Sequence, residues 1–127
     1  MGMYDELVCE YPLPDGFDHH GIVFQTKDTP HQYLSRYRLT AEGVLYDCES
    51  GMPVPLHGVL RFYADNLCAS GPAGVVTVDD TPPWYADYCA LFDHGTLVHL
   101  SGQRCVDTSR PQITRAAYRA AYVTARS

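Results

Sequence analysis

Six or seven short antiparallel β-strands, forming a sheet or sandwich with one C-terminal helix, are the architecture this chain's residue pattern predicts. Three observations carry it. Ten tyrosines and many β-branched residues fall into short runs. Ten glycines and nine prolines break those runs at close intervals. Two of the runs, around residues 57–63 and 84–92, alternate side chains as half-buried strands do. With 127 residues, 46% of them hydrophobic, there is enough apolar side chain for one core.

The elements follow in chain order. Leu7-Val8-Cys9-Glu10-Tyr11 is the first strand, stopped by Pro12 and Pro14, and Asp15 to Gly21 reads as a polar loop. Ile22-Val23-Phe24-Gln25 is a short apolar strand. Thr29-Pro30-His31-Gln32 has Thr at N-cap, Pro at N1 and Gln at N3, which predicts one helical turn over 31–35 with Tyr33 and Leu34 as its buried contacts. Tyr37 to Thr40 and Val44 to Asp47 flank Gly43 and read as a hairpin. His57 to Tyr63 is the central strand, with Gly58, Leu60 and Phe62 on one face and His57, Val59, Arg61 and Tyr63 on the other. Residues 66–74 are small and read as a loop before a strand over Val75 to Val78, which Asp79-Asp80-Thr81-Pro82-Pro83 stops.

Trp84 to Phe92 is the next strand, with Trp84, Ala86, Tyr88, Ala90 and Phe92 on one face. Asp93-His94-Gly95 turns it into Thr96 to Leu100. This hairpin matches the first at an offset of 52 residues, pairing Gly43 with Gly95, Leu39 with Leu91 and Leu45 with Leu97. The chemistry of the turn itself accounts for that match. Ser109-Arg110-Pro111-Gln112 fits a second capping box and predicts a helix from Ile113 to Arg126. Its apolar face, Ile113, Ala116, Ala117 and Ala120, is thin, so the helix needs a surface to dock on.

Charge divides the chain into a β domain over 1–103 and a basic tail over 104–127. The first has four basic and fourteen acidic groups, the second five arginines and Asp107. The tail would dock on its own body or on a neighbouring copy, which predicts a homo-oligomer held through the helix. A net charge of −6 argues against sequence-independent nucleic-acid binding, which needs positive surface. No apolar stretch approaches the roughly eighteen residues of a membrane span, and Met1 to Glu10 has no apolar core of a signal peptide. Five widely spaced cysteines without C-x-x-C predict reduced thiols rather than a disulfide framework or zinc knuckle. The expected compartment is the cytoplasm.

Several segments together carry a resemblance. They are Glu10-Tyr11-Pro12-Leu13-Pro14, Phe24-Gln25-Thr26-Lys27-Asp28, Tyr33-Leu34, Tyr37, Glu42-Gly43-Val44-Leu45, Gly58-Val59-Leu60-Arg61-Phe62-Tyr63, Trp84-Tyr85, Phe92, Gly95 and Leu97. In that order they resemble a family of small, uncharacterised β-rich bacteriophage and prophage accessory proteins. The resemblance covers about residues 4–100 at the level of pattern and leaves out the tail. It implies a phage protein working in the cytoplasm of a host bacterium, in a setting where counter-defence functions are common. It brings no catalytic residues with it.

Candidate binding residues come from cationic and aromatic side chains on strands. Gln25, Thr26 and Lys27, the only lysine, follow an apolar strand and offer a phosphate-neutralising charge with hydrogen-bonding neighbours; a capped turn at Asp28-Thr29 explains the same run. Arg61 shares a strand face with His57 and Tyr63, and arginine beside aromatic rings suits a phosphorylated, base-bearing ligand; a cross-strand ion pair is the competing account. Trp84, Tyr85 and Tyr88 line a pocket mouth or fill core. Asp15, Asp18, His19 and His20 have metal-ligand chemistry but no ligand spacing, and His57, His94 and His99 are scattered, so no metal and no cofactor is expected. Nucleophile, zincin and phosphate-loop motifs are absent.

The function this predicts is non-enzymatic: sequestration of a small phosphorylated ligand such as a nucleotide immune signal. An alternative is an acidic, anti-CRISPR-like decoy presenting Asp79, Asp80, Asp87 and Asp93 to a host defence protein. A third is an enzyme that cleaves a signalling nucleotide.

Overall fold

The structure, a computed structural model, describes residues 5–19, 21–26, 35–109 and 111–120. The fold is mainly β. Ten strands, β1 (Asp5–Cys9), β2 (Val23–Thr26), β3 (Arg36–Leu39), β4 (Leu45–Asp47), β5 (Gly58–Asp65), β6 (Leu67–Gly71), β7 (Gly74–Thr77), β8 (Trp84–Asp93), β9 (Thr96–Val106) and β10 (Gln112–Ile113), precede one short helix, α1 (Arg115–Tyr118), among the described residues. Seven strands form one sheet in the order β4-β3-β1-β2-β5-β8-β9, and three form another in the order β10-β7-β6. The chain groups into two compact units. One takes residues 1–64 and 86–104, the other 65–85 and 105–127. This division cuts across the split into 1–103 and 104–127 that charge suggests, because each unit is built from two separate stretches.

In the first unit, β1 pairs antiparallel with β2, Leu7 opposite Phe24, and parallel with β3, Leu7 opposite Tyr37. The sheet is therefore mixed rather than antiparallel. The chain has already used one side of β1 for β2, so β3 crosses to the other side and arrives running with β1. The first hairpin forms as expected, Arg38 opposite Tyr46, with Gly43 at φ +85°. The second turns on His94 at φ +50° and Gly95 at φ +94°, the pair of positive values a tight hairpin turn needs. The two similar turns meet: Val44 bridges Thr96, and the Leu97 N–H donates to the Gly43 carbonyl at 2.7 Å. The outermost strands β4 and β9 thus touch at one end, so the sheet curls on itself and shields part of its edges. The seven-stranded sheet is thus a curled one.

The inward row obeys period two. On β5, Leu60, Phe62 and Ala64 are buried while Val59 and Arg61 are exposed. On β8, Trp84, Ala86, Tyr88, Ala90 and Phe92 are buried, the face the alternation predicts. Phe24 meets Phe62 edge-on at 5.1 Å, and Phe62 stacks on Tyr88 at 5.5 Å. Apolar area removed from water is the main favourable term here, with ring geometry adding roughly 0.5–1.5 kcal/mol per aromatic pair.

The second unit departs further from expectation. Residues 67–71 are a strand rather than a loop, and β6 pairs antiparallel with β7 across a bulge. Asn66 is the anchor: its Oδ1 accepts the Trp84 N–H at 2.8 Å, and its Nδ2 lies within 3.2 Å of Asp79 Oδ1, Thr81 Oγ1 and the Pro82 carbonyl. Ile113 does not open a helix. It pairs in β10, parallel with β7, opposite Val76. Helix α1 starts after it, and its N-cap is Thr114, whose side chain accepts the Ala117 N–H. The predicted cap, Ser109, instead donates to Asp107. Arg115 N–H donates to Asp80, so the described part of the tail docks on its own chain. The helical turn expected over 31–35 falls largely outside the described residues, as does the end of the C-terminal helix.

Candidate functional site

Cross-strand register decides which of the predicted residues share a surface. Gln25 on β2 sits opposite Tyr63 on β5 and opposite Glu6 on β1, and Glu6 sits opposite Arg36 on β3. This gives an outward row of Arg36, Glu6, Gln25 and Tyr63. Gln25 and Tyr63 are half-buried. Arg61 and Val59 follow on the same face of β5, both exposed. Part of the row is internally neutralised, since Arg36 donates to Glu6 at 2.7 Å and Arg38 faces Glu10 at 3.7 Å. Gln25, Arg61 and Tyr63 are thus brought onto one face.

Thr26, Trp84 and Tyr88 are not on it, and His57, of the same outward parity just before β5, meets other partners described below. Thr26 is buried opposite Asp5. Trp84 is buried, and Tyr85, though exposed, belongs to the second unit. Lys27 lies outside the described residues. Tyr88 is a core residue, not a pocket wall. Its hydroxyl donates to Asp15 at 3.1 Å, and its phenol is pushed well above its ordinary pKa by burial and by that carboxylate.

Asp15 proves to be a structural acceptor. Besides Tyr88, it takes the Arg104 N–H at 2.7 Å and the Phe17 N–H at 3.2 Å. Desolvation alone would raise its carboxyl, but these donors outweigh it and hold the pKa below the usual aspartate value. Asp79 is held low chiefly by the Thr81 hydroxyl, against some desolvation, with help from Asn66. Asp79 and Asp80 therefore serve local hydrogen bonds within their own unit. Asp18 and His19 instead line a cavity of about 460 Å³ with Val8, Cys9, Glu10 and Gly21. Cys9, whose thiol donates to the Tyr11 carbonyl, is pushed up to about 11, mainly by burial. It is a packed apolar group, not a nucleophile.

One cluster is missed by the sequence reading. His57, just before β5, and Asp93 and His94, at the end of β8, come together although 36 and 37 residues separate them. Asp93 Oδ1 lies 2.6 Å from His94 Nδ1 and 3.5 Å from His57 Nδ1, and the two imidazoles face each other at 4.5 Å. All three side chains are exposed. The missing signal is strand adjacency: β5 and β8 are neighbours, but β6 and β7 intervene in the chain. Parity supplies half of the clue, since His57 falls on the outward face of its strand.

No protein-family model, no curated protein and no solved structure matches the chain. Among the described residues, no helix is long and apolar enough to cross a membrane.

Proposed function

We propose that this is a non-catalytic binding protein that holds a small phosphorylated ligand, concretely a nucleotide, on the outward face of β2 and β5. The observation that supports this reading is the register that sets Gln25 beside Tyr63 with Arg61 on the same face. A guanidinium offers two parallel donors to a phosphate, a tyrosine ring offers a stacking face for a base, and a glutamine amide offers both donor and acceptor to a base edge. The phage resemblance gives the setting, counter-defence by sequestering a signal. Sequestration acts by mass action and needs affinity rather than turnover. An open face buries little of a ligand, so the reading includes a second copy closing over it. Val23 and Val59, about half exposed, border the polar row and suit such a cover.

Calorimetry of the full chain against a panel of mono-, di- and cyclic nucleotides tests this. The expected result is saturable binding of at least one member, weakened at least tenfold by Arg61→Ala, with the ligand recovered intact by chromatography. No heat at high protein concentration would sink the proposal, and a converted ligand would replace it with catalysis.

A further inference from the structure

We infer that His57, Asp93 and His94 form a surface binding site for a divalent transition-metal ion, zinc in the first instance. Two imidazoles and one carboxylate are a donor set suited to borderline cations such as Zn²⁺, Ni²⁺ and Cu²⁺, whereas Mg²⁺ and Ca²⁺ take oxygen ligands. The three donor atoms lie within 4.8 Å of one another. In a tetrahedral zinc site with bonds of about 2.0–2.1 Å, neighbouring donors stand about 3.3 Å apart. The 3.5 Å between His57 Nδ1 and Asp93 Oδ1 already fits that spacing. The 2.6 Å between His94 Nδ1 and the same oxygen is a hydrogen-bond distance, and it must open by roughly 0.7 Å for a zinc ion of that geometry to replace the shared proton. An exposed side chain reaches that by rotation about its own bonds.

The backbone holds the ligands ready. Asp93 ends β8 and His94 opens the tight turn after it, at φ +50°. The Gly95 N–H donates to the Leu56 carbonyl at 2.7 Å, one residue before His57, which ties the turn to the segment carrying the third ligand. A Cβ on Gly95 would lie 3.0 Å from the Val54 carbonyl oxygen, so the two segments approach closely. The weak 3.4 Å contact from the His94 N–H to His57 Nδ1 is given up when that nitrogen turns its lone pair to the ion. Both imidazoles then keep their proton on Nε2, facing water. Three protein ligands leave one tetrahedral position for water or an incoming anion. None of the three ligands is among Gln25, Arg61 and Tyr63, although His57 adjoins the face of β5 that carries Arg61.

Titration of the full chain with zinc chloride, followed by calorimetry, tests the assignment. Binding is expected to weaken at least tenfold in His57→Gln/His94→Gln and in Asp93→Asn, and to be unchanged in His99→Gln. Cys48, Cys68 and Cys105 are exposed thiols that also attract zinc, so cobalt is the second probe. Cobalt bound here shows no thiolate charge-transfer band and broadens the His57 and His94 ring signals of the unaltered protein in proton NMR. Equal affinity in the double variant, absence of binding, or a cobalt spectrum with a thiolate band that disappears on cysteine substitution would each overturn the inference.

Discussion

Asp15 joins three donors that come from distant parts of the chain: its neighbour Phe17, the core residue Tyr88, and the backbone of Arg104 on β9. The Arg104 guanidinium also lies over the Phe17 ring at 4.5 Å. Asp15→Asn is expected to lower stability by about 1 kcal/mol, a value kept small because the carboxylate is largely solvated. Because the folded pKa lies below the ordinary value near 4, the charged carboxylate contributes stability at neutral pH that disappears as pH falls through the folded value. Urea unfolding of both proteins at neutral pH and near pH 2 checks this. The gap should be present at neutral pH and closed in acid, and an equal gap at both would refute the electrostatic account. Only the Phe17 contact, two residues on, was legible locally. Asp15 looks like a loop residue, and its other partners are 73 and 89 positions away.

At the level of elements, β8 was readable because every second side chain is buried, and the two hairpins because glycine at positive φ marks their turns. β6 was not, because Leu67-Cys68-Ala69-Ser70-Gly71 has no clear alternation and owes its extended form to pairing with β7. The predicted C-terminal helix lost its first two residues for a similar reason. β7 offered Ile113 backbone partners that an isolated, thinly apolar helix could not match. Gly102 on β9 shows how tightly two neighbouring strands pass. At φ +128°, a Cβ there would overlap the Asp87 carbonyl oxygen and come within 2.6 Å of Tyr88 Cα, both of them backbone atoms that cannot swing aside. Gly102→Ala should cost about 2–4 kcal/mol. Gly16→Ala, with positive φ but nothing within 4 Å, should cost about 1–2 kcal/mol. Thermal unfolding of the pair measures the difference, and equal losses would mean that crowding at Gly102 is relieved by a backbone shift.

Across the whole molecule, both compact units draw on two separate stretches of chain. Composition showed the charge asymmetry of the tail but not which residues 105–127 would join, because strand pairing rather than charge selects them. The Val75 N–H donates to the Pro111 carbonyl at 2.9 Å, and Gln112 reaches the Thr81 carbonyl at 2.6 Å. A chain ending at residue 104 should therefore lose hydrogen-exchange protection at Val75 and Val76 while keeping it at Phe24 and Phe62. Exchange monitored by NMR on both lengths decides this, and unchanged protection at Val75 would show that β6 and β7 hold without β10. The candidate sites follow the same logic. Arg61 and Tyr63 were readable as one strand face, but His57 meets Asp93 only because the sheet places β5 beside β8.

The stretch of about twenty residues that leaves β5 and returns to β8 begins and ends on adjoining strands of the same sheet. Such a detour is a natural splice point. Asn66, Asp79 and Thr81 hold its two ends, so an affinity peptide grafted at the β6–β7 turn, between Gly71 and Gly74, should leave the larger sheet's pairing intact.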